Sequence, residues 1–257
     1  MRLVKLALLR LWLPVVLIAA WWVGSANSES IYFPPLSKIV DTLRADWLGP
    51  YFVEHLLPSV GKFASAYLIA VILGVLIGLV LGMSPRIRAV TDPFVQFFRS
   101  LPPPVIIPIG ILVFGIGVMM NVFIIVFGAI WATLLNTTDG IAGVHSQVRD
   151  MARSYRLGFW QRVRHVLLPA AGPQIAAGMR TSLQISIILI VVSEMVGSTS
   201  GIGYYVIKSQ QTFQVVDTWA GTIVLGVLGY LATLVFMLIE KRALRWYTGM
   251  QQAQNAD

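Results

Sequence analysis

Long apolar runs separated by short polar segments dominate this sequence, and six of them approach the roughly 20 residues a helix needs to cross a hydrocarbon core. They occupy about residues 11–24, 63–83, 94–114, 118–135, 175–197 and 219–239. Apolar residues surround each run instead of keeping to one stripe, as expected of helices whose solvent is lipid. Between the first two runs lies a polar stretch, 28–59, punctuated by Pro34, Pro35, Pro50 and Pro58. Within it Ile39, Leu43 and Trp47 recur at helical spacing, which predicts a short helix lying on the outer surface. A packing cover over the bundle is the simpler role for it, and docking of a partner the alternative.

Three of the runs carry interruptions. In the second, Gly74, Gly78 and Gly82 repeat every fourth position, leaving one bare stripe on which a neighbouring helix can pack closely. The third opens as FFRSLPPPVIIPIG, with Pro102, Pro103, Pro104 and Pro108. Proline removes backbone donors, so this run must be kinked or begin in an irregular turn. Irregular backbone at membrane depth is tolerated only inside protein or beside a water-filled cavity, and Arg99 and Ser100 at its start are therefore pathway candidates. In the fifth run, Arg180 and Glu194 are separated by about 21 Å of helix at 1.5 Å per residue, too little for both to lie outside a core of about 30 Å. Arginine snorkels readily from a helix end, which leaves Glu194 the sharper candidate for a cavity or interhelical role. Gln184, Ser186 and Ser193 share that helix; Gln184 and Ser193 join Glu194 as candidate pathway residues.

One segment breaks the apolar pattern altogether. Residues 149–169 read RDMARSYRLGFWQRVRHVLLP. Val148, Met151, Ala152 and Tyr155 recur at helical spacing, and beyond Gly158 so do Trp160, Val163 and Leu167. The pattern predicts two short amphipathic helices joined at a glycine, their other faces carrying Arg149, Arg153, Arg156, Arg162 and Arg164. Such a pair can rest on anionic membrane lipid or seat in a groove of a cytoplasmic partner.

Composition confirms the solvent. Of 257 residues, 57% are hydrophobic and 12% charged, about half the charged share of a soluble domain. The formal charge of +8 is accounted for by lysines and arginines gathered in cytoplasmic loops, and nucleic-acid binding is not indicated. With six spans and a cytoplasmic N-terminus, only Lys38, Arg44, Lys62 and Lys208 of the 19 basic residues fall outside. Both termini and the 149–169 segment are then cytoplasmic. The first run follows a basic MRLVKLALLR and imitates a secretory signal, but Pro14, Trp21 and Trp22 make a poor cleavable region, so a retained span is expected.

Chemistry is sparse. There is no cysteine, which removes disulfides, thiolate metal sites and cysteine nucleophiles. His55, His145 and His165 show no metal-ligand spacing, and neither an H-E-x-x-H nor a G-x-S-x-G motif occurs. The one Gly-Lys pair, Gly61-Lys62, is followed by Phe63 and lacks a glycine five residues earlier, so no phosphate-cradling loop is present. No cofactor and no metal site is expected. An intramembrane enzyme and a non-transporting scaffold subunit remain the rival classes.

The 149–169 segment resembles the cytoplasmic loop of the integral-membrane permease subunits of binding-protein-dependent ABC importers, with the pattern E-A-A, three residues, G, nine residues, I-x-L-P. Asp150, Met151 and Ala152 fall on E-A-A, and Val166, Leu168 and Pro169 on I, L and P, at the full spacing. The flanking FFRSLPPPVIIPIGILVFGIG and SEMVGSTSGIGYY are similar to the nitrate, sulfonate and taurine branch, and the likeness spans about residues 56–245. It implies an all-α, six-span type I ABC importer permease fold in the bacterial inner membrane. It also implies a separate cytoplasmic ATPase that binds the ATP, an extracytoplasmic solute-binding protein, a homodimer, and a small anion such as a sulfonate, taurine or nitrate as solute. On this reading residues 1–55 form an N-terminal span and outer loop, 56–245 the transmembrane domain with a coupling loop at 146–170, and 246–257 a cytoplasmic tail. The ATPase-coupling residues would be Asp150, Met151, Ala152, Tyr155, Arg156, Gly158, Val166, Leu168 and Pro169. Arg156 stands where the family has glycine. Since Gly158 follows two residues later, the first loop helix is predicted to run through about Leu157 with Gly158 as its left-handed cap, and the second to start near Phe159 or Trp160.

Overall fold

The computed structural model describes residues 2–247 and 249, with side chains from residue 12 onward; the expected tail at 246–257 lies almost wholly outside the described residues. The described chain is all helix and connection, with no strand. Helix α1 is Arg2–Ser25; α2, Leu36–Thr42, runs on through a π turn at Leu43–Trp47. A second π turn at Phe52–Leu56 leads into α3, Leu57–Met83, followed by α4, Pro85–Ser100. A 3-10 turn at Pro103–Ile106 opens α5, Ile107–Phe114, and α6 is Val118–Ala142. The loop helices are α7, Ser146–Ser154, and α8, Phe159–Arg162; the latter continues through a π turn at Val163–Leu167 into α9, Leu168–Gly197. Helices α10, Ile202–Gln211, and α11, Val215–Ala243, complete the chain.

Helix α6 is the spine, packed against both α3 and α9, which also touch each other. The glycine stripe of α3 lies on it. A Cβ at Gly74 would stand 2.9 Å from Thr133 Cβ, at Gly78 2.6 Å from the Leu134 carbonyl, and at Gly82 2.7 Å from Ile141 Cβ. From α9, Gly178 meets Asn136, where a Cβ would be 2.6 Å from its Cβ, and the Thr133 and Ser182 hydroxyls share a hydrogen bond of 2.7 Å. The stripe is therefore a packing surface, the role its spacing predicts.

The outer stretch is a cover. Leu36, Ile39 and Trp47 are buried against Tyr205, Val206 and Ala220 of α10 and α11. The end of α1 joins the same layer: Trp21 and Trp219 rings are 5.4 Å apart, and Ser25 Oγ accepts the Leu36 amide.

Among the described residues four helical segments are long and apolar enough to cross (Phe52–Met83, Val118–Ala142, Phe159–Gly197 and Val215–Ala243), the α4–α5 pair counts as a fifth when taken as one broken span, and α1 offers the shorter apolar Trp12–Ser25. The third run is interrupted as its prolines predict, by an irregular turn at which α4 and α5 are bent by 86°. Leu101 and Pro102 are extended at ψ 121° and 122°, as expected of residues preceding proline. Helix α4 also starts at Pro85, with Ser84 Oγ accepting the Ile87 amide as its cap, nine residues before the apolar run.

One expectation needs correction, in the loop. Helix α7 ends at Ser154, and the left-handed residue is Arg156, φ +52°. Its amide donates to the Arg153 carbonyl at 2.8 Å and the Leu157 amide to Ala152 at 3.1 Å, the paired bonds of a Schellman cap. Gly158 has an ordinary extended backbone, φ −62° and ψ 164°, and caps α8. The predicted helix to Leu157 capped by Gly158 is overturned, although α8 does begin at Phe159. The six-residue spacing from Asp150 to the turn has kept the turn in place while a side chain with a Cβ occupies it.

A left-handed residue with a Cβ costs roughly 1–2 kcal/mol, partly offset in a glycine variant by unfolded-chain entropy. Arg156→Gly should therefore stabilise the loop by up to about 1 kcal/mol, and Gly158→Ala should be close to neutral. Hydrogen exchange at the α7 amides measures both; slower exchange in Arg156→Gly is the expected result, and faster exchange would remove the strain argument.

Candidate functional site

Three groups of side chains carry the chemistry. At the outer end, Lys62 of α3 and Glu194 of α9 form an ion pair of 2.9 Å with side chains 3% and 0% exposed. The pair is fully coordinated. Lys62 Nζ also donates to Ser198 Oγ at 2.9 Å and to the Ser200 carbonyl at 2.7 Å. Ser59 Oγ lies 2.8 Å from both Glu194 oxygens, and the Gly203 amide donates to Oε2 at 3.0 Å. Ser59 in turn accepts the Ile202 amide at 2.8 Å. The carboxylate thus sits at the N-terminus of α10, where unpaired amides and the helix dipole favour an anion.

Local sequence explains the seat. A Cβ on Gly201 would lie 2.1 Å from Glu194 Oε1, and its φ of +123° is closed to other residues; a Cβ on Gly203 would lie 2.6 Å from the Val191 carbonyl. The SEMVGSTSGIGYY stretch therefore places the acid at one end and clears space for it at the other. Glu194 and Ser193, offered as pathway residues, are both buried; Ser193 Oγ donates to the Ile190 carbonyl. Neither faces open space, because a charge at this depth is housed most cheaply against its counter-ion. Sequence reasoning missed Lys62 and Ser59. Lys62 was counted as an outer-loop charge, and its position directly before the apolar run at 63–83 was the available signal. Arg180 does not snorkel unaccompanied but pairs with Glu240 of α11.

The other pathway candidates lie open. Arg99 and Ser100 are exposed at the end of α4 and Gln184 on α9. On α9 the exposed positions Gln174, Ala177, Thr181, Gln184 and Ile188 follow one another at intervals of three and four, a single stripe that is polar along much of its length. Asn136 of α6 borders it, accepting a hydrogen bond from Gln174 at 2.9 Å. The break between α4 and α5 crosses the same helices, with Pro103 and Leu189 meeting over Gly128. A cavity of about 830 Å³ lies elsewhere, between α3 and α11; Leu43, Trp47, Phe63, Tyr67, Val227 and Phe236 line it. Its walls are apolar, so it is unsuited to a small anion.

At the inner end the loop helices are anchored by Ala152, Val163 and Leu167, all buried, the last two against Ile141 and Ala171. Arg149 donates to the carbonyls of Ile141, Ala142 and Val144, closing the C-terminus of α6. The apolar sets read from the sequence are split: Ala152 faces inward but Met151 and Tyr155 face out, and Val163 and Leu167 face inward but Trp160, 77% exposed, does not. Asp150, Arg156, Gly158 and Pro169 are exposed, and Val166 and Leu168 half-buried. The result is an apolar ridge of Met151, Tyr155, Phe159 and Trp160 on a charged surface, the composition of a docking face.

A sequence profile described as "Binding-protein-dependent transport system inner membrane component" matches residues 70–246. SsuC of Bacillus subtilis (strain 168), which carries the name of an aliphatic sulfonates transport permease protein, is 34% identical over 91% of this chain and 86% of its own. The taurine transport system permease protein TauC of Escherichia coli (strain K12) is 24% identical over 92% and 88%. The nitrate import permease protein NrtB of Synechococcus elongatus is 31% identical over 74% and 72%. Among solved structures, an inward-facing conformation of the MetNI methionine ABC transporter superposes with a TM-score of 0.61 at 18% identity, covering 72% of this chain and 93% of that one; at that identity it speaks for the fold.

Breaking one side of a buried ion pair costs about 3–5 kcal/mol. Glu194→Gln and Lys62→Met should each destabilise the detergent-solubilised protein by that order. The double variant should lose less than the sum, with a coupling of about 1–3 kcal/mol. Denaturant unfolding of the four proteins checks this; strict additivity would mean the two charges do not hold each other.

Proposed function

This chain belongs to the binding-protein-dependent transport system inner membrane components, and on that premise we propose how it couples and what it carries. As a permease subunit of an ABC importer it is a multi-pass inner-membrane protein that works with an ATPase and a solute-binding protein; it transports and is not an enzyme. The ATPase binds the ATP, and the 146–170 loop docks it, with Met151, Tyr155, Phe159 and Trp160 as the contact ridge and Asp150 and Arg156 beside them. Both termini are cytoplasmic, since Arg86, Arg88 and the loop arginines gather at one end of the bundle, in keeping with the positive-inside rule.

Two copies form the pathway between them. The observation that carries this is the open α9 stripe beside the broken α4–α5 segment, because neither polar side chains nor irregular backbone can face lipid. The apolar tip of α5, with Leu112 86% exposed, supplies further contact. Relatives named for aliphatic sulfonates, taurine, nitrate and bicarbonate support a small anion as solute, and Arg99 at the break offers it a cation.

Docking is tested by Trp160→Asp. A charge at an anchoring aromatic should cost about 2 kcal/mol or more, a factor of roughly 30 in affinity. The ATPase should be lost on co-purification while membrane insertion continues; undiminished co-purification would remove the ridge from the interface. Dimer geometry is accessible because the chain has no native cysteine. Single cysteines at Gln184 or Leu112 should cross-link two copies in membranes, and one at Met237 of α11 should not. Cross-linking at Met237 alone would place the interface on the other face.

A further inference from the structure

Between the loop helices and the bundle lies a second cavity, of about 230 Å³, walled by Met83 of α3, Ile141 of α6, Arg149 and Arg153 of α7, and Arg162 and Leu167. At about 30 Å³ per water it has room for a polar head group and several waters. Three of its wall residues are arginines and none is acidic. Their existing partners do not account for all three. Arg149 is committed through Nε and Nη2 to the carbonyls ending α6. Arg153 reaches Asp150 at 3.3 Å, an exposed contact between residues three apart. Arg162 Nε is shielded from solvent and has no hydrogen-bond partner, an arrangement that costs free energy until an acceptor arrives. The acid nearest along α6, Asp139, is taken by Arg88 at 2.8 Å.

The charge balance favours an anion. The C-termini of α3 and α6 bring roughly half a negative charge each and Asp150 one more, against three guanidinium groups, so the cavity stays positive. Guanidinium groups converging from two loop helices suit an acceptor with several oxygens, and Arg is the side chain best matched to phosphate geometry. Met83, Ile141 and Leu167 supply an apolar wall beneath them.

We propose that this cavity binds a phosphate-type oxyanion, held by Arg153 and Arg162 with Arg149 behind them, which ties the loop helices to the ends of α3 and α6. The source is either the head group of an anionic phospholipid or free phosphate. Met151, Tyr155 and Trp160 take no part in the lining, so the site is distinct from the ridge.

The test uses the delipidated permease–ATPase complex in detergent and follows its thermal midpoint with added phosphatidylglycerol, phosphatidylcholine or inorganic phosphate. Phosphatidylglycerol should raise the wild-type midpoint and phosphatidylcholine should not. Arg162→Gln should need roughly tenfold more of the anionic lipid for the same rise. Arg153→Gln, a change at an exposed side chain that leaves folding undisturbed, should shift the response the same way, and Arg164→Gln, outside the cavity, should not. A rise with phosphatidylglycerol alone assigns the head group; a rise with inorganic phosphate as well assigns a free oxyanion. No rise with either, or an equal response in wild type and Arg162→Gln, overturns the site. So does a response that appears only after the ATPase is removed, since an ATPase side chain would then be filling the cavity.

Discussion

Close backbone contact along α6 is the constraint on which the rest of the molecule depends. Lipid removes the hydrophobic reason for helices to associate, and packing, polar contacts and close approach must replace it. Here the replacement is steric. Gly74, Gly78 and Gly82 let α3 settle onto the ridge of Thr133, Thr137 and Ile141, and Gly178 lets α9 settle onto Asn136. Thr133, Thr137 and Thr138 are wholly or almost wholly buried in consequence, and Thr133 and Thr138 find partners at Ser182 and the Leu134 carbonyl. Helices α3, α6 and α9 so form one packed unit, fastened electrostatically at its two ends.

Those fastenings differ in kind. At the outer end a charge pair lies inside protein, and every ammonium proton and carboxylate oxygen has a partner. A buried pair of this sort contributes little net stability against an apolar replacement; what it fixes is register, since α3, α9 and α10 must all be in place before either charge is satisfied. At the inner end Arg149 satisfies the carbonyls that α6 leaves open, and the loop helices ride on small apolar contacts through Ala152, Val163 and Leu167. The outer fastening is specific and dry, the inner one shallow and half in water.

What could be read from the sequence follows the range of the interactions involved. Apolar runs and the glycine stripe are local patterns, and both appear where expected. The 86° break was foreshadowed by four prolines, but the packing of Pro103 and Leu189 over Gly128 is a long-range contact that no local pattern contains. Glu194 was singled out because carboxylates are expensive in membranes, yet its partner lies 132 residues away and one-dimensional spacing cannot pair them. The cap at Arg156 misled for a different reason. Glycine preference at a left-handed position is a bias of about 1 kcal/mol, and here the bonds from Arg156 and Leu157 to Arg153 and Ala152, with the anchoring of Ala152, outweigh it. Helical periodicity likewise grouped Ala152 with Met151 and Tyr155, although the helix turns only the first of them toward the bundle.

These parts meet in one continuous element. From Phe159 the chain is helical without a break to Gly197, 39 residues, or roughly 58 Å at 1.5 Å per residue. One end carries the exposed Trp160, and the other carries Glu194 in its ion pair. Between them the same helix presents the open stripe of Gln174, Thr181 and Gln184. On the docking proposed above, a displacement of the loop end would reach the polar face through the helix itself, without any relay of side chains. The Lys62 pair fastens its far end and Gly178 packs against Asn136 of α6, so coupling through this element would be a movement of one continuous helix against α6.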